Sequence, residues 1–258
     1  MDFQDIIYEK KNGVARVIIN RPKVHNAFRM QTIIEMAQAW DDADSDNSIG
    51  VVITTGAGDK AFSSGGDVNW EKDRGDAVWL ASNDLYLAIR RVSKPTIAVV
   101  RGWCLGGANV LALLFDLTIA GESAKFGQTG PKMGSFNTFG AGYLSRVIGE
   151  KKAREMWLLC RTYNAQEALQ MGLVNWVVPD DKLDAEVDRI CSEILALSPT
   201  ALKCMKLHFQ ADTDKYEGQW EIGRAMAVLY QRSAEAKEGM DSFLEKRKPD
   251  FFKFLEPL

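Results

Sequence analysis

Pro95-Thr-Ile-Ala-Val-Val100 runs directly into Arg101-Gly-Trp-Cys-Leu-Gly-Gly-Ala108, and the reading of this join decides the fold. A short β-branched run that stops at a glycine pair reads as a strand entering a tight turn. Leu111 to Phe115 then reads as a buried helix, and Leu117-Thr-Ile-Ala120 as the next strand. The same alternation extends toward the N-terminus. Val14 to Asn20 is strand-like and is closed by Arg21-Pro22, and Met30 to Ala43 carries Ile33, Ile34, Ala37 and Trp40 at helical spacing. Gly50-Val-Val-Ile-Thr-Thr55 is a further strand that enters Gly56-Ala-Gly-Asp59, and an amphipathic stretch from Ser82 to Arg91 precedes Pro95. Strand, crossover helix, strand predicts right-handed βαβ units in an α/β fold. After Val178-Pro179 the pattern turns helical, over Asp181–Leu197, Pro199–Ala211 and Glu217–Leu244. We expect a core over residues 1–195 and a helical region over 196–258, with no linker and no internal repeat.

Composition removes several function classes. At 258 residues the chain can bury a large core. A net charge of −3 gives no polybasic footprint, so neither nucleic acid nor a membrane surface is an expected partner. No apolar run approaches the roughly 20 residues that span a bilayer. Met1 to Lys11 holds no signal-peptide core, so a cytoplasmic setting is expected. Cys104, Cys160, Cys191 and Cys204 form no CxxC pair and read as reduced structural thiols. His25 and His208 are the two histidines, too few for a histidine metal centre, and no metal is expected.

Ala61-Phe-Ser-Ser-Gly-Gly-Asp67 is another glycine-rich turn at a strand end, the first of the two in chain order. Glycine pairs let a ligand approach backbone that a β-carbon would cover. Two such turns on neighbouring strands could aim two N–H donors at one oxygen, which is an oxyanion hole. The plainer reading is two tight turns. Neither GxGxxG nor GK[ST] occurs, so phosphate cradling of those kinds is disfavoured.

AFSSGGD, GWCLGGANVLALLFDLTIAGESAKFGQ, MGLVNWVVP and EGMDSFLEKRKPDF, together with the Asn20–Phe28 stretch, resemble the crotonase (enoyl-CoA hydratase/isomerase) superfamily over essentially the whole chain. The resemblance implies a spiral of βαβ units with a helical C-terminal trimerisation region. It also implies an acyl-CoA-binding core, an acyl-CoA thioester as substrate, and a homotrimer or dimer of trimers. The family's oxyanion amides fall on Gly66 and Gly107. The two glutamates that hydratases use to activate and protonate water fall on Val110 and Gly130, which cannot transfer protons. Losing both should abolish efficient hydration, since such groups contribute about 10²–10⁴-fold each.

Phe126-Gly-Gln-Thr-Gly-Pro-Lys-Met-Gly-Ser135 and Gly149-Glu-Lys-Lys-Ala-Arg-Glu-Met-Trp157 are similar to a narrower branch. It contains a 2-ketocyclohexanecarboxyl-CoA hydrolase, which opens a ring, and a 1,4-dihydroxy-2-naphthoyl-CoA synthase, which closes one. The leading expectation is ring-opening hydrolysis of an alicyclic β-oxoacyl-CoA during aromatic-compound degradation. The alternatives are the synthase of menaquinone biosynthesis and a non-catalytic crotonase-fold binding protein. No tightly bound cofactor is expected, because CoA is part of the substrate. Gln128, Thr129 and Gly130 with Trp157 look like the synthase subtype that recruits bicarbonate as a base, here near Gly130. Trp157 also reads as core packing.

Ser135 reads as a substrate or water contact, or as the cap of the helix near Gly140. Asn137 stands where both relatives carry an acidic residue, and a neutral amide can orient a carbonyl or a water but cannot accept a proton. Tyr230 is a candidate proton donor on an amphipathic helix. Val24, His25 and Arg29 fall in the segment that contacts CoA in relatives, Ser64 and Asp67 in the first glycine turn, and Lys248 where CoA phosphates are met. Asp67 reads equally as a turn or helix-cap residue.

Overall fold

The computed structural model describes residues 2–74, 85–213 and 217–255. The main sheet has six strands: β1 (Ile6–Lys11), β2 (Val14–Ile19), β3 (Val51–Gly56), β5 (Thr96–Val100), β7 (Leu117–Gly121) and β10 (Trp176–Val178), in the spatial order β1-β2-β3-β5-β7-β10. A smaller sheet contains β4 (Ala61–Ser63), β6 (Trp103–Leu105), β8 (Lys125–Gly127) and β9 (Thr162–Asn164), in that order. From β2 to β10 the main sheet is parallel, with β1 antiparallel at one edge. β3, β5 and β7 each pass straight into a strand of the smaller sheet, namely β4, β6 and β8. Each of these three strand pairs then leads into a helix. The result is the crotonase-type spiral, a repeated topology that the sequence does not betray as a repeat.

Burial explains which runs became which strands. Every residue of β3 and β5 is buried, as expected for parallel strands covered on both faces. β2 alternates buried and half-buried residues, and the edge strand β1 ends in exposed Glu9, Lys10 and Lys11, charges that discourage further strand pairing. One face of the sheet meets α1 (Met30–Ser45), whose fully buried Trp40 donates to Thr54 Oγ1 at 3.0 Å. The other face meets α8 (Leu183–Leu195), where Leu183, Val187 and Ile190 pack on Val51, Ile53, Ile97, Val99 and Ile119.

The remaining helices are α2 (Val68–Arg74), α3 (residues 85–91), α4 (Gly107–Leu113), α5 (Thr138–Ile148), α6 (Glu150–Leu159), α7 (Ala165–Gln170), α9 (Pro199–Thr213), α10 (Glu217–Gln231) and α11 (Ala234–Leu244). Three sequence readings are corrected. The buried helix expected from Leu111 begins at Gly107, so the second glycine of the pair is its first residue. The single helix expected over Glu217–Leu244 is broken, because Ser233 Oγ accepts from the Ala236 N–H at 3.1 Å and starts α11 afresh. The cap of α5 is Asn137 rather than Ser135. The expected stretch Ser82–Arg91 is helical from residue 85, and its first three residues lie outside the described residues. Among the described residues no helix is long and apolar enough to cross a membrane.

Candidate active site

The two glycine turns meet. Phe28 N–H donates to the Gly65 carbonyl at 2.9 Å and Asp67 N–H to the Phe28 carbonyl at 3.0 Å, so the first turn is pinned on both sides of Gly66. Gly65 has φ +96°, and a β-carbon there would stand 2.9 Å from the Leu105 carbonyl and 3.1 Å from the Gly107 nitrogen. Only glycine satisfies both the conformation and the approach. Among the described residues neither the Gly66 nor the Gly107 N–H has an acceptor. Both line one cavity, so two unengaged amides border the same space, which is what an oxyanion site requires.

A hydrogen-bonded chain backs the Gly107 turn. Asn137 Oδ1 accepts from the Gly140 N–H at 2.9 Å, capping α5. Its Nδ2 donates to Tyr86 Oη at 3.1 Å, and Tyr86 Oη donates to the Gly107 carbonyl at 3.2 Å. Tyr86 is fully buried, and that burial pushes its phenol well above the ordinary range. It therefore serves as a neutral brace on the Gly107 peptide.

Glu71 closes the cavity beside Gly66. Its N–H donates to the Asp67 carbonyl at 2.8 Å, the first turn of α2. Helical side chains lean toward the N-terminus, so a residue one turn on is carried back over the glycines. A β-carbon on Gly66 would lie 1.8 Å from Glu71 Oε1. Burial, then the nearby Asp67 carboxylate, push the Glu71 carboxyl up to about 7. Such a group binds its proton more tightly in the fold than in the unfolded chain. Stability must therefore fall as pH rises from the ordinary value of 4.5 to about 7. Thermal melts should show Glu71→Gln more stable than wild type at pH 8, with the two converging near pH 4. Parallel curves across that range would contradict the assignment.

Of the residues expected from sequence, Gly66, Gly107, Ser64, Gln128, Thr129, Gly130, Ser135, Asn137 and Trp157 line this cavity together. Gln128 Oε1 and Trp157 Nε1 are buried without a hydrogen-bond partner among the described residues. The others lie elsewhere. Tyr230 stands behind Phe136, ring centroids 5.3 Å apart, with its hydroxyl bonded to Glu235. Partial burial, then the Glu235 carboxylate, push its phenol up to about 12. Arg29 is engaged with Asp5, Nε to Oδ2 at 2.8 Å and Nη2 to Oδ1 at 2.9 Å. Asp67 pairs with Arg21 Nη2 at 2.9 Å and holds the glycine turn from below. His25 lines a separate surface groove with Lys23 and Lys60, and Val24 is exposed on the short helical turn before it. Lys248 is exposed at the C-terminal end.

Sequence reasoning missed Glu71, Tyr86, Phe28 and Phe136. For Glu71 a signal existed, a carboxylate four residues after the double-glycine turn. Val110, at the first hydratase glutamate position, is fully buried under α5 and does not line the cavity. A β-carbon on Gly140 would lie 2.4 Å from Val110 Cγ2.

Residues 9–253 match the enoyl-CoA hydratase/isomerase family. Among similar solved structures is an enoyl-CoA hydratase from Mycobacterium avium subsp. paratuberculosis, 30% identical over 97% of this chain and 99% of that one, TM-score 0.87. An enoyl-CoA hydratase/isomerase from Xanthobacter autotrophicus is 34% identical over 95% of this chain and 94% of that one, TM-score 0.86. A methylmalonyl-CoA decarboxylase is 27% identical over 97% of this chain and 99% of that one, TM-score 0.87. With the family match over residues 9–253 and similarity in fold over nearly the full length, the chain belongs to the enoyl-CoA hydratase/isomerase family and is a crotonase-type acyl-CoA-processing enzyme.

Proposed function

We propose that the enzyme opens the ring of an alicyclic β-oxoacyl-CoA by hydrolysing a C–C bond. One observation carries the reading. The unengaged Gly66 and Gly107 amides border a cavity, and both positions of the hydratase glutamates lack a carboxylate: Val110 is buried away from the cavity and Gly130 lines it. A site so built can hold a thioester enolate but lacks the two carboxylates that add water across a double bond. The thioester oxygen sits between the two amides, water adds to the ring ketone, and the C–C bond breaks with its electrons passing into the enolate. The similarity to a methylmalonyl-CoA decarboxylase supports a scaffold able to host C–C cleavage. The groove at Lys23, His25 and Lys60 supports a path for the CoA phosphates, because the His25 carbonyl accepts from the Ser64 N–H at 3.0 Å and joins groove to cavity. Exposed Met205, Leu207 and Phe209 on α9, with Ile222, Met226 and Leu229 on α10, support assembly into a homotrimer or dimer of trimers.

The second reading is ring closure by a naphthoyl-CoA synthase, favoured by the unpartnered Gln128 Oε1 and Trp157 Nε1. Both side chains line the cavity, and towards a small oxyanion such as bicarbonate the indole N–H would donate to an anion oxygen and the amide oxygen would accept from its O–H. Bound there, it would supply a base. A binding protein without catalysis is the weaker reading, since it has no use for two unengaged amides.

The test uses three substrates. A cyclic 2-oxo-carboxyl-CoA incubated in ¹⁸O-water should give a dicarboxylic acid mono-CoA ester with one ¹⁸O in the new carboxylate. Crotonyl-CoA should be hydrated negligibly, at least about 10²-fold below the roughly 10 s⁻¹ of a typical enzyme. o-Succinylbenzoyl-CoA with bicarbonate should be left unchanged. Bicarbonate-stimulated naphthoyl product without any ring opening would transfer the assignment to the synthase.

A further inference from the structure

We infer that Glu71 is the proton carrier of this site: its carboxylate takes a proton from the water that attacks the ring ketone, and its carboxylic acid returns that proton to the α-carbon of the thioester enolate. The inference rests on the ring-opening reading. Its geometric basis is independent of sequence motif. Glu71 Oε1 occupies the space that a side chain on Gly66 would fill, so the carboxyl lies against the very residue whose amide borders the hole. Among the described residues lining the cavity, Glu71 is the one carboxyl group. Tyr86 is committed to bracing the Gly107 carbonyl, and Asn137 to Gly140 and Tyr86. Ser64, Thr129 and Ser135 are alcohols and poor bases at neutral pH.

Electrostatics suits both halves of the cycle. Among the described residues, the charged group acting on Glu71 is the Asp67 carboxylate at the start of α2, itself paired with Arg21, and the phenol of Tyr86 on α3, neutral as it stands, is the other titratable group beside it. α11 also packs on α2, but its Glu238 is engaged by Arg247 and Lys253, and its Glu235 by Tyr230. No cation among these pairs with Glu71 to hold it ionised. With its carboxyl raised to about 7, both protonation states are populated near neutrality. The carboxylate removes a proton as the water oxygen bonds to the ketone carbon. The tetrahedral alkoxide then collapses to a carboxylic acid, the C–C bond breaks, and its electron pair becomes the enolate. Negative charge in the hole beside Glu71 raises its proton affinity further, so the acid form persists until the α-carbon takes the proton. The new carboxylic acid then ionises to solvent, and Glu71 is restored.

The test separates Glu71 from the parent reading by using a substrate with no ring ketone. Cyclohexanecarboxyl-CoA in D₂O should exchange its α-proton on the wild-type enzyme, followed by mass spectrometry. The rate should rise with pH to a plateau above about 7, because the base form abstracts the proton. Glu71→Gln should lose at least about 10²-fold of that exchange while binding the thioester within about threefold of wild type. Glu71→Asp should retain the pH break at a reduced rate, which a merely structural role would not produce. Exchange by Glu71→Gln within about threefold of wild type, or no exchange by wild type at any pH, would overturn the assignment. Wild-type exchange without opening of any β-oxo ring would instead overturn ring-opening and leave Glu71 as the proton carrier.

Discussion

With Gly107 replaced by proline, turnover of a β-oxoacyl-CoA should fall about 10²–10³-fold while the fold stays intact. The size follows from losing one oxyanion donor, which costs about 2.7–4 kcal/mol of transition-state stabilisation. The fold should tolerate the change because Gly107 is the first residue of α4, after Gly106 as cap. Proline is well suited to that position, where the missing N–H has no helical partner to lose. The added β-carbon would meet Tyr86 Oη at 3.1 Å and the Phe28 ring at 3.4 Å, side chains that can yield by a few tenths of an ångström. Gly107→Ala is the matched control. It adds the same β-carbon and keeps the N–H, so it should retain most of the activity. Circular dichroism and oligomer size would establish that both variants fold. If the proline and alanine variants turned over equally, Gly107 would be a turn residue and no donor.

What the sequence disclosed and what it hid divide along physical lines. β3, β5 and α1 were legible because strand and helix periods differ and because buried parallel strands read as continuous apolar runs. The short strands β4, β6, β8 and β9 were not, since three residues carry no period and their pairing depends on the spiral above them. In the site, Gly66 and Gly107 were legible because glycine pairs at strand ends are locally conspicuous. Gln128, Thr129, Gly130 and Trp157 came from resemblance, and the structure adds that two of their polar atoms are buried and unpartnered. Tyr230 was placed by analogy, and its bond to Glu235 and its position behind Phe136 are tertiary facts that no local pattern encodes. Asn137 was legible as a site residue, yet its engagement with Tyr86 spans 51 positions of sequence. Glu71 was hidden for another reason. An isolated glutamate on a short helix resembles any solvated charge until the helix is seen to aim it across a glycine.

The C-terminal region bears on the site through a contact that sequence periodicity treats as unremarkable helix surface. α11 lies on the 3₁₀ turn Pro131–Met133 and on Gly134, immediately before Ser135 and Asn137. A β-carbon on Gly239 would stand 2.4 Å from the Gly134 nitrogen, and 2.5 Å from both the Gly134 Cα and the Met133 carbonyl carbon. All three are backbone atoms, so no rotamer change relieves the overlap. Gly134 cannot back away cheaply either. It holds φ +66°, and its own β-carbon position is 2.9 Å from the Ala236 carbonyl. Gly239→Ala must therefore push α11 off the loop or displace the loop into the cavity. Overpacking of this kind costs about 1–3 kcal/mol, and about 2–4 °C of Tm accompanies each kcal/mol in a chain of this size. A fall in Tm of about 5 °C is expected. The helix gains from alanine in place of glycine by only about 1 kcal/mol, and that gain acts against the clash without cancelling it. Activity should respond as well, because a misplacement near 1 Å can cost about 10²-fold in rate. We expect kcat to fall more than tenfold below wild type, with the loss concentrated in kcat, because the Lys23–Lys60 groove lies on different elements. Calorimetry and steady-state kinetics on one preparation would decide the matter. An unchanged Tm with an unchanged kcat would mean that α11 and the loop part freely, and that the site is built by the spiral core alone.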